Sequence, residues 1–181
     1  MKKVMCVALA LLGAAVAPAQ QAQSGGANPV SDTVRSLLAR YSKNLTVAAE
    51  QMPADKYSYK PTEQQMSFGH LVVHIAEGNY FYCSKLTSQA PPPADASEKD
   101  AKDKLVSQVK NSFSYCETAL KGVQDSQLAE EVTLFGGKKG PKAAALFGLT
   151  GGWADHYGAA AIYLRLNGML PPTAQNAPEK K

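Results

Sequence analysis

Apolar side chains recur at intervals of three and four residues in four stretches of this chain, which is the spacing of one face of an α-helix. In the first stretch the apolar positions are Val34, Leu37, Leu38, Tyr41, Leu45 and Ala48. The helices are predicted over residues 31–52, 68–87, 97–121 and 141–166. Strand-like alternation is almost absent. The pattern therefore predicts an all-α fold, a bundle of four helices.

Breaker residues separate the predicted helices. Pro53 ends the first helix, and Ser67 is a good N-cap for the second. A polyproline stretch at residues 90–94 joins the second helix to the third. Residues 135–140 form a glycine-rich loop, which lacks the spacing and strand context of a phosphate-binding loop. The segment before it, residues 128–135, is compatible with a short helix or an extended piece.

The N-terminus has the features of a cleaved targeting signal. Lys2 and Lys3 precede an apolar run over residues 4–16, and Ala17-Pro18-Ala19 supplies the small residues that a signal peptidase requires. The apolar run is too short to span a bilayer. We therefore expect residues 1–19 to be a signal peptide cleaved after Ala19, and the mature protein to be periplasmic or secreted, without a membrane anchor.

The remaining chain divides by composition. Residues 20–29 are predicted to be a flexible leader, residues 30–172 the bundle and residues 173–181 a polar tail. With 45% hydrophobic and 19% charged residues, the chain has enough apolar material for a core. The net charge of +4 falls to +2 when Lys2 and Lys3 are removed. No basic stripe is present, so we expect no nucleic-acid partner.

Two cysteines, Cys83 and Cys116, remain after cleavage, because Cys6 lies in the signal peptide. In an exported protein such a pair favours one disulfide. The alternative is two buried free thiols that pack as small hydrophobic side chains.

The three histidines are the candidate metal ligands. His70 and His74 lie four residues apart on the second helix and share a face, and His156 lies in the middle of the last helix. If these helices are neighbours, the three imidazoles can hold a divalent zinc, nickel or iron ion. Glu77 and Asp155 are carboxylates that can orient a ligand or a bound water. The alternative is that the histidines are packed, hydrogen-bonded core residues.

Aromatic and small residues near the histidines indicate a pocket. Trp153 and Tyr157 are candidates for its wall, with Tyr80, Phe81 and Tyr82 as further aromatic lining. Core packing explains these aromatic residues equally well. Gly151 and Gly152 either allow a partner helix to approach or open a cavity.

Two segments carry a resemblance to a known family. The first contains Tyr57-Ser58-Tyr59-Lys60-Pro61, followed by His70-Leu71-Val72-Val73-His74-Ile75-Ala76. The second contains Asp155-His156-Tyr157-Gly158, followed by the segment from Ile162 to Pro172. Together they resemble the DinB-like superfamily over most of residues 30–172, and cysteines resembling Cys83 and Cys116 occur in its secreted members.

The resemblance implies a four-helix bundle of the DinB-like type, often dimeric, with a metal held by three histidines. His74 matches the ligand from the second helix, and His156 matches one of two from the last helix. The other ligand position falls on Gly152, which cannot bind a metal. His70 is the spare imidazole that would complete the set.

Two hypotheses follow. The first is an exported DinB-like protein with a divalent-metal site or its remnant at His74, His156 and His70. In this hypothesis the protein is a metal-dependent hydrolase or, as in some relatives, a thiol-dependent transferase. The second is a metal-free bundle that binds a small molecule or a partner helix and has no catalytic activity. A small-molecule ligand and a homodimer are the expected partners.

Overall fold

The computed structural model describes residues 28–175. The predicted signal peptide, most of the predicted leader and the end of the predicted tail lie outside these residues. The helices are α1 (Pro29–Gln51), α2 (Phe68–Cys83), α3 (Lys102–Lys121) and α4 (Lys142–Leu166). The predicted all-α four-helix fold is therefore confirmed. None of the helices in this part of the chain is long and apolar enough to cross a membrane.

Each helix packs against two others. Both α2 and α1 contact α3 and α4, so the sequential pairs α1–α2 and α3–α4 lie on the diagonals of the bundle. The connections over residues 52–67 and 122–141 cross those diagonals. This arrangement makes α2 and α4 neighbours, as the histidine hypothesis required.

The core runs along the centre of the bundle and takes large apolar side chains from all four helices. Its fully buried members include Leu45, Leu105, Val109, Leu120, Leu146, Leu149, Trp153 and Leu164. Burying such a side chain stabilises the fold by about 1.5–3 kcal/mol relative to leaving it exposed. The core positions are those of the three- and four-residue spacing in the sequence.

The start of α1 is capped from a distant part of the chain. The helix begins at Pro29, earlier than Ser31, and the carboxylate of Asp125 accepts hydrogen bonds from the backbone N–H groups of Val30 and Ser31 at 2.9 and 2.8 Å. The Ser31 hydroxyl also donates to Asp125 at 2.7 Å. A carboxylate at this end satisfies N–H groups that have no partner within the helix.

The second and third helices are shorter than predicted, because local side-chain hydrogen bonds replace helical ones. α2 begins as expected, with Ser67 Oγ accepting from the His70 backbone N–H at 3.1 Å, but it ends at Cys83. There the Ser84 hydroxyl donates to the Phe81 carbonyl at 2.8 Å. Before α3, Asp100 accepts from the Ser97 backbone N–H at 2.8 Å, so residues 97–100 form a turn.

Residues 128–135, for which the sequence allows a short helix or an extended piece, contain a β-strand. Strand β1 (Glu131–Thr133) pairs antiparallel with β2 (Lys139–Pro141), with Val132 opposite Gly140. The turn between the strands contains Gly136 and Gly137 at φ values of 66° and 73°, which L side chains rarely adopt. The hairpin therefore projects a short loop, with Phe135 at its start.

The structure joins Cys83 and Cys116 in a disulfide, with their Cα atoms 5.2 Å apart. Of the two alternatives for the cysteines, a disulfide or two free thiols, the structure has the disulfide. The bridge links the last turn of α2 to α3 and is fully buried.

A buried polar network crosses the bundle beside this disulfide. The Trp153 indole N–H donates to Asn79 Oδ1 at 2.7 Å, and Asn79 Nδ2 donates to Ser112 Oγ at 2.9 Å. The three residues come from α4, α2 and α3, and each is at most 2% exposed. Because unpaired buried polar groups destabilise a fold, the network strongly favours one rotation of each helix.

Replacing Asn79 with leucine tests this network. We expect Asn79→Leu to lower the free energy of unfolding by about 2–3 kcal/mol, because the Trp153 indole N–H and the Ser112 hydroxyl lose buried partners. Urea unfolding followed by circular dichroism measures the change. Asn111→Ala, an exposed substitution on α3, serves as the control and should stay within about 0.5 kcal/mol of wild type. Equal stability of Asn79→Leu and wild type would contradict the prediction.

Candidate functional site

The packing of α2 on α4 brings two of the three histidines together. The imidazole centroids of His74 and His156 lie 5.0 Å apart, with the rings inclined at 72°. His74 is half-buried, and the His156 side chain is 19% exposed. The pair therefore forms one site at the interface of the two helices, accessible to a small molecule.

The structure places His70 elsewhere. Its Nδ1 lies 3.5 Å from a carboxylate oxygen of Glu98, in the segment before α3, and its side chain is 50% exposed. The same carboxylate oxygen accepts a hydrogen bond from the Ser67 hydroxyl at 2.6 Å. His70 is thus oriented towards Glu98 and is not brought to the His74–His156 pair. Within residues 28–175, no three His, Cys, Asp or Glu side chains are close enough to share a metal ion.

Glycines on α4 make room beside the pair. A Cβ atom at Gly152 would lie 3.6 Å from Nε2 of His156, an ordinary contact, so this nitrogen faces the space that a side chain at 152 would enter. A Cβ atom at Gly148 would lie only 2.6 Å from the Tyr82 ring. The Tyr82 ring therefore depends on glycine at position 148 for its place against α4.

Two clefts meet at the histidine pair, and both are lined by His74 and His156. The first, which we call the aromatic cleft, has a volume of about 500 Å³. Its other lining residues are Glu77, Gly78, Phe81, Tyr82, Phe135, Gly148 and Gly152. The second, the polar cleft, has a volume of about 380 Å³ and includes Gln64, Gln65 and Asp155. Both volumes lie in the range of about 300–1,000 Å³ typical of small-molecule sites.

Three aromatic rings form one wall of the aromatic cleft. Phe81 and Phe135 are stacked with their centroids 3.8 Å apart, and Tyr82 packs edge-on to each at 5.2 and 5.8 Å. Phe135 comes from the β1–β2 hairpin and is 61% exposed. The hairpin thus closes one side of the cleft with an aromatic side chain.

The other predicted pocket residues lie at different depths. Glu77 is exposed and lines the aromatic cleft, one turn after His74. Asp155 Oδ2 lies 3.5 Å from Nδ1 of His156 and lines the polar cleft. Trp153 is buried, and together with His156 it lines a recess of about 20 Å³. Tyr157 instead holds the chain after α4, because its hydroxyl donates to Thr173 Oγ1 at 2.8 Å.

The local electrostatics favour a neutral His156. Burial lowers the pKa of its imidazole below the ordinary value, and His74 lowers it further, while the nearby Asp155 carboxylate partly opposes both effects. A neutral imidazole donates a hydrogen bond from one nitrogen and accepts at the other, and it can also ligate a metal. At neutral pH His156 therefore offers one nitrogen donor and one nitrogen acceptor rather than a positive charge.

Three residues of the aromatic cleft, Gly78, Phe135 and Gly148, are not predicted by sequence reasoning. The sequence pattern places Phe135 only in a loop and does not single out Gly78 or Gly148. A signal for Phe135 was its position as a large aromatic residue at the start of a glycine-rich loop. No comparable signal marked Gly148, since its role depends on the Tyr82 ring packed against it.

The fold and site together define a class of protein, a four-helix bundle with a histidine-lined cleft between α2 and α4. The DinB superfamily matches residues 37–157, and the chain belongs to that superfamily. The family resemblance found in the two sequence segments is thereby confirmed. No curated protein matches the chain.

Solved structures of DinB-like proteins share the fold. One from Bacillus subtilis is 26% identical to this chain, with a TM-score of 0.63 over 80% of this chain and 99% of the other. One from Bacillus cereus is 14% identical, with a TM-score of 0.65 over 78% and 95%. A mutant of mycothiol-dependent maleylpyruvate isomerase is 13% identical, with a TM-score of 0.57 over 70% and 59%. The last two similarities concern the fold alone.

The lowered pKa of His156 predicts a pH dependence of stability. In the unfolded chain a histidine titrates near pH 6.5. Between the folded pKa and about pH 6.5 the unfolded state binds more protons, so the free energy of unfolding rises with pH. His156 therefore contributes its full stabilisation to the fold above about pH 6.5. This stabilisation is lost as the pH falls from about 6.5 through the folded pKa.

Urea unfolding at about pH 7.5 and pH 5.5 measures this effect. We expect His156→Gln to lose less stability on acidification than wild type, because glutamine does not titrate. Asn111→Ala, an exposed substitution on α3 that removes no titratable group, is the control and should keep the wild-type dependence. An unchanged pH dependence in His156→Gln would show that burial does not disfavour the charged imidazole.

Proposed function

We propose that this protein is exported and binds a small organic molecule in the aromatic cleft, with His74 and His156 as its hydrogen-bonding groups. The observation that carries the proposal is the space beside His156. Gly152 leaves Nε2 of this histidine facing an open cleft of about 500 Å³, in which the opposite wall is aromatic. Apolar walls with a few convergent polar groups are typical of small-molecule sites.

Export is supported by the signal-like N-terminus and by the disulfide. Disulfides persist in oxidising compartments and are rare in the cytosol. The Cys83–Cys116 bridge fits a periplasmic or secreted protein.

The ligand-binding proposal is tested by nuclear magnetic resonance on the imidazoles. The chain has three histidines, so each ring gives a signal that can be assigned with single substitutions. We expect ligands from a library of small aromatic compounds to shift the signals of His74 and His156, since both line the aromatic cleft. The His70 signals should stay in place, because that ring lies against Glu98.

The substitution His156→Gln should weaken binding of the same compounds, and His70→Gln should leave it unchanged. Compounds that shift all three histidines alike, or that bind His156→Gln as well as wild type, would place binding outside the cleft. A library without any saturable ligand would count against the proposal.

A divalent metal site at His74 and His156 is the second candidate, with metal-dependent hydrolysis as its activity. Two adjacent imidazoles, one kept neutral by burial, support it. The donor set is the objection, because a catalytic zinc site has three protein ligands and the described residues bring only two together here. The residues present therefore do not fit a resident three-ligand ion, and zinc, nickel or iron would need further ligands from water or substrate.

Adding a third imidazole tests this assessment. We expect Gly152→His to raise the affinity for Zn²⁺, Ni²⁺ or Fe²⁺ about tenfold or more, because a side chain there has room next to His156. Isothermal titration calorimetry of untagged protein gives the affinities. Gly152→Ala adds a Cβ atom without a donor and should bind like wild type. A wild-type affinity equal to that of Gly152→His would show that the two histidines suffice and would favour the metal site.

A further inference from the structure

The aromatic cleft contains one side chain with a full charge, the carboxylate of Glu77. The residues that line the cleft include no lysine or arginine. No ion pair among residues 28–175 involves Glu77, so its charge is not neutralised by a partner within the described fold. The cleft therefore presents a negative group to its contents.

The aromatic wall lies on the same side of α2 as this carboxylate. Glu77 and Phe81 are four residues apart and are neighbours on the helix surface, about 5–6 Å apart at Cβ. Phe135 stacks on Phe81, and Tyr82 packs against both rings. A cation next to these groups is attracted by the negative charge of the carboxylate and also by the negative faces of the aromatic rings.

A lysine of the chain already contacts one of the three rings Phe81, Tyr82 and Phe135. The Nζ atom of Lys85 lies 4.6 Å from the Phe81 ring centroid, a cation–π distance. Lys85 lies one turn beyond Phe81 and two turns from Glu77, and it is not among the cleft-lining residues. The rings of Tyr82 and Phe135 make no such contact with a cation among residues 28–175.

We propose that the ligand of the aromatic cleft is an organic cation, a primary or quaternary ammonium attached to a small apolar or aromatic group. Its ammonium pairs with Glu77 and lies against the rings of Tyr82 and Phe135, and its apolar part fills the cleft towards Gly148 and Gly152. The imidazoles of His74 and His156 hydrogen-bond any polar group at its other end. This inference rests on the proposed function and adds the chemical class of the ligand.

Three compounds of similar shape separate charge from hydrophobic contact. Benzylammonium, benzyl alcohol and benzoate are titrated into the mature protein, with binding followed by calorimetry and by the imidazole signals of His74 and His156. We expect benzylammonium to bind about tenfold more tightly than benzyl alcohol, and benzoate to bind less tightly than either. Added salt should weaken the binding of benzylammonium and leave that of benzyl alcohol unchanged.

Single substitutions show which residues cause the preference for benzylammonium over benzyl alcohol. Glu77→Gln removes the charge at an exposed position, so the fold should be retained, and we expect most of the preference for benzylammonium over benzyl alcohol to be lost. Phe135→Ala should weaken the binding of both compounds. Glu117→Gln removes an exposed carboxylate on α3, away from the cleft, and is the matched control that should keep the wild-type preference.

The outcomes separate this inference from the proposed function. Benzyl alcohol binding as tightly as benzylammonium, at the histidine pair, would overturn the cation preference and leave ligand binding in the cleft intact. A cation preference that is undiminished in Glu77→Gln would also overturn it. No saturable binding of benzylammonium to wild type would refute the inference, and the library experiment on the imidazoles would then decide separately whether the cleft binds other molecules.

Discussion

The hydrogen bond from the Trp153 indole to Asn79 is the interaction on which the arrangement of the bundle depends. Both groups are buried, and each would destabilise the fold if left without a partner. Asn79 also donates to Ser112, and the Cys83–Cys116 bridge joins the same two helices one turn further on. Apolar packing tolerates small rotations of a helix, whereas this polar network with its covalent link permits little change in how α2, α3 and α4 meet.

The candidate site follows from that constraint. His156 lies three residues after Trp153, so a rotation of α4 that buries the indole against Asn79 turns the imidazole towards α2. His74 meets it there, on the turn of α2 before Asn79. Gly152, which precedes Trp153 in the sequence, lines the cleft and keeps the space beside His156 open. The same helix contact therefore provides the stable centre of the bundle and the open cleft at its side.

The burial of His156 and the glycines of α4 determine the chemistry of the cleft more than the number of metal-ligating side chains does. Burial favours a neutral His156. At Gly152 the cleft has open space instead of a third metal-ligating side chain. Glu77 supplies charge at the cleft wall and Phe135 closes one side, both without contributing to the core. Such a site suits recognition of a small molecule, since the pocket remains open while its polar groups stay fixed by the helices.

The spacing of apolar residues determined the four helices, and the segments around His74 and His156 determined the family, because both are local properties of the chain. The cap on α1 by Asp125, the turn of His70 towards Glu98 and the place of Phe135 in the cleft were decided only by the tertiary structure. These contacts join residues far apart in sequence, and they depend on how the long connections cross the bundle. Helical periodicity predicts which face of a helix is buried, but it does not predict which helix covers that face.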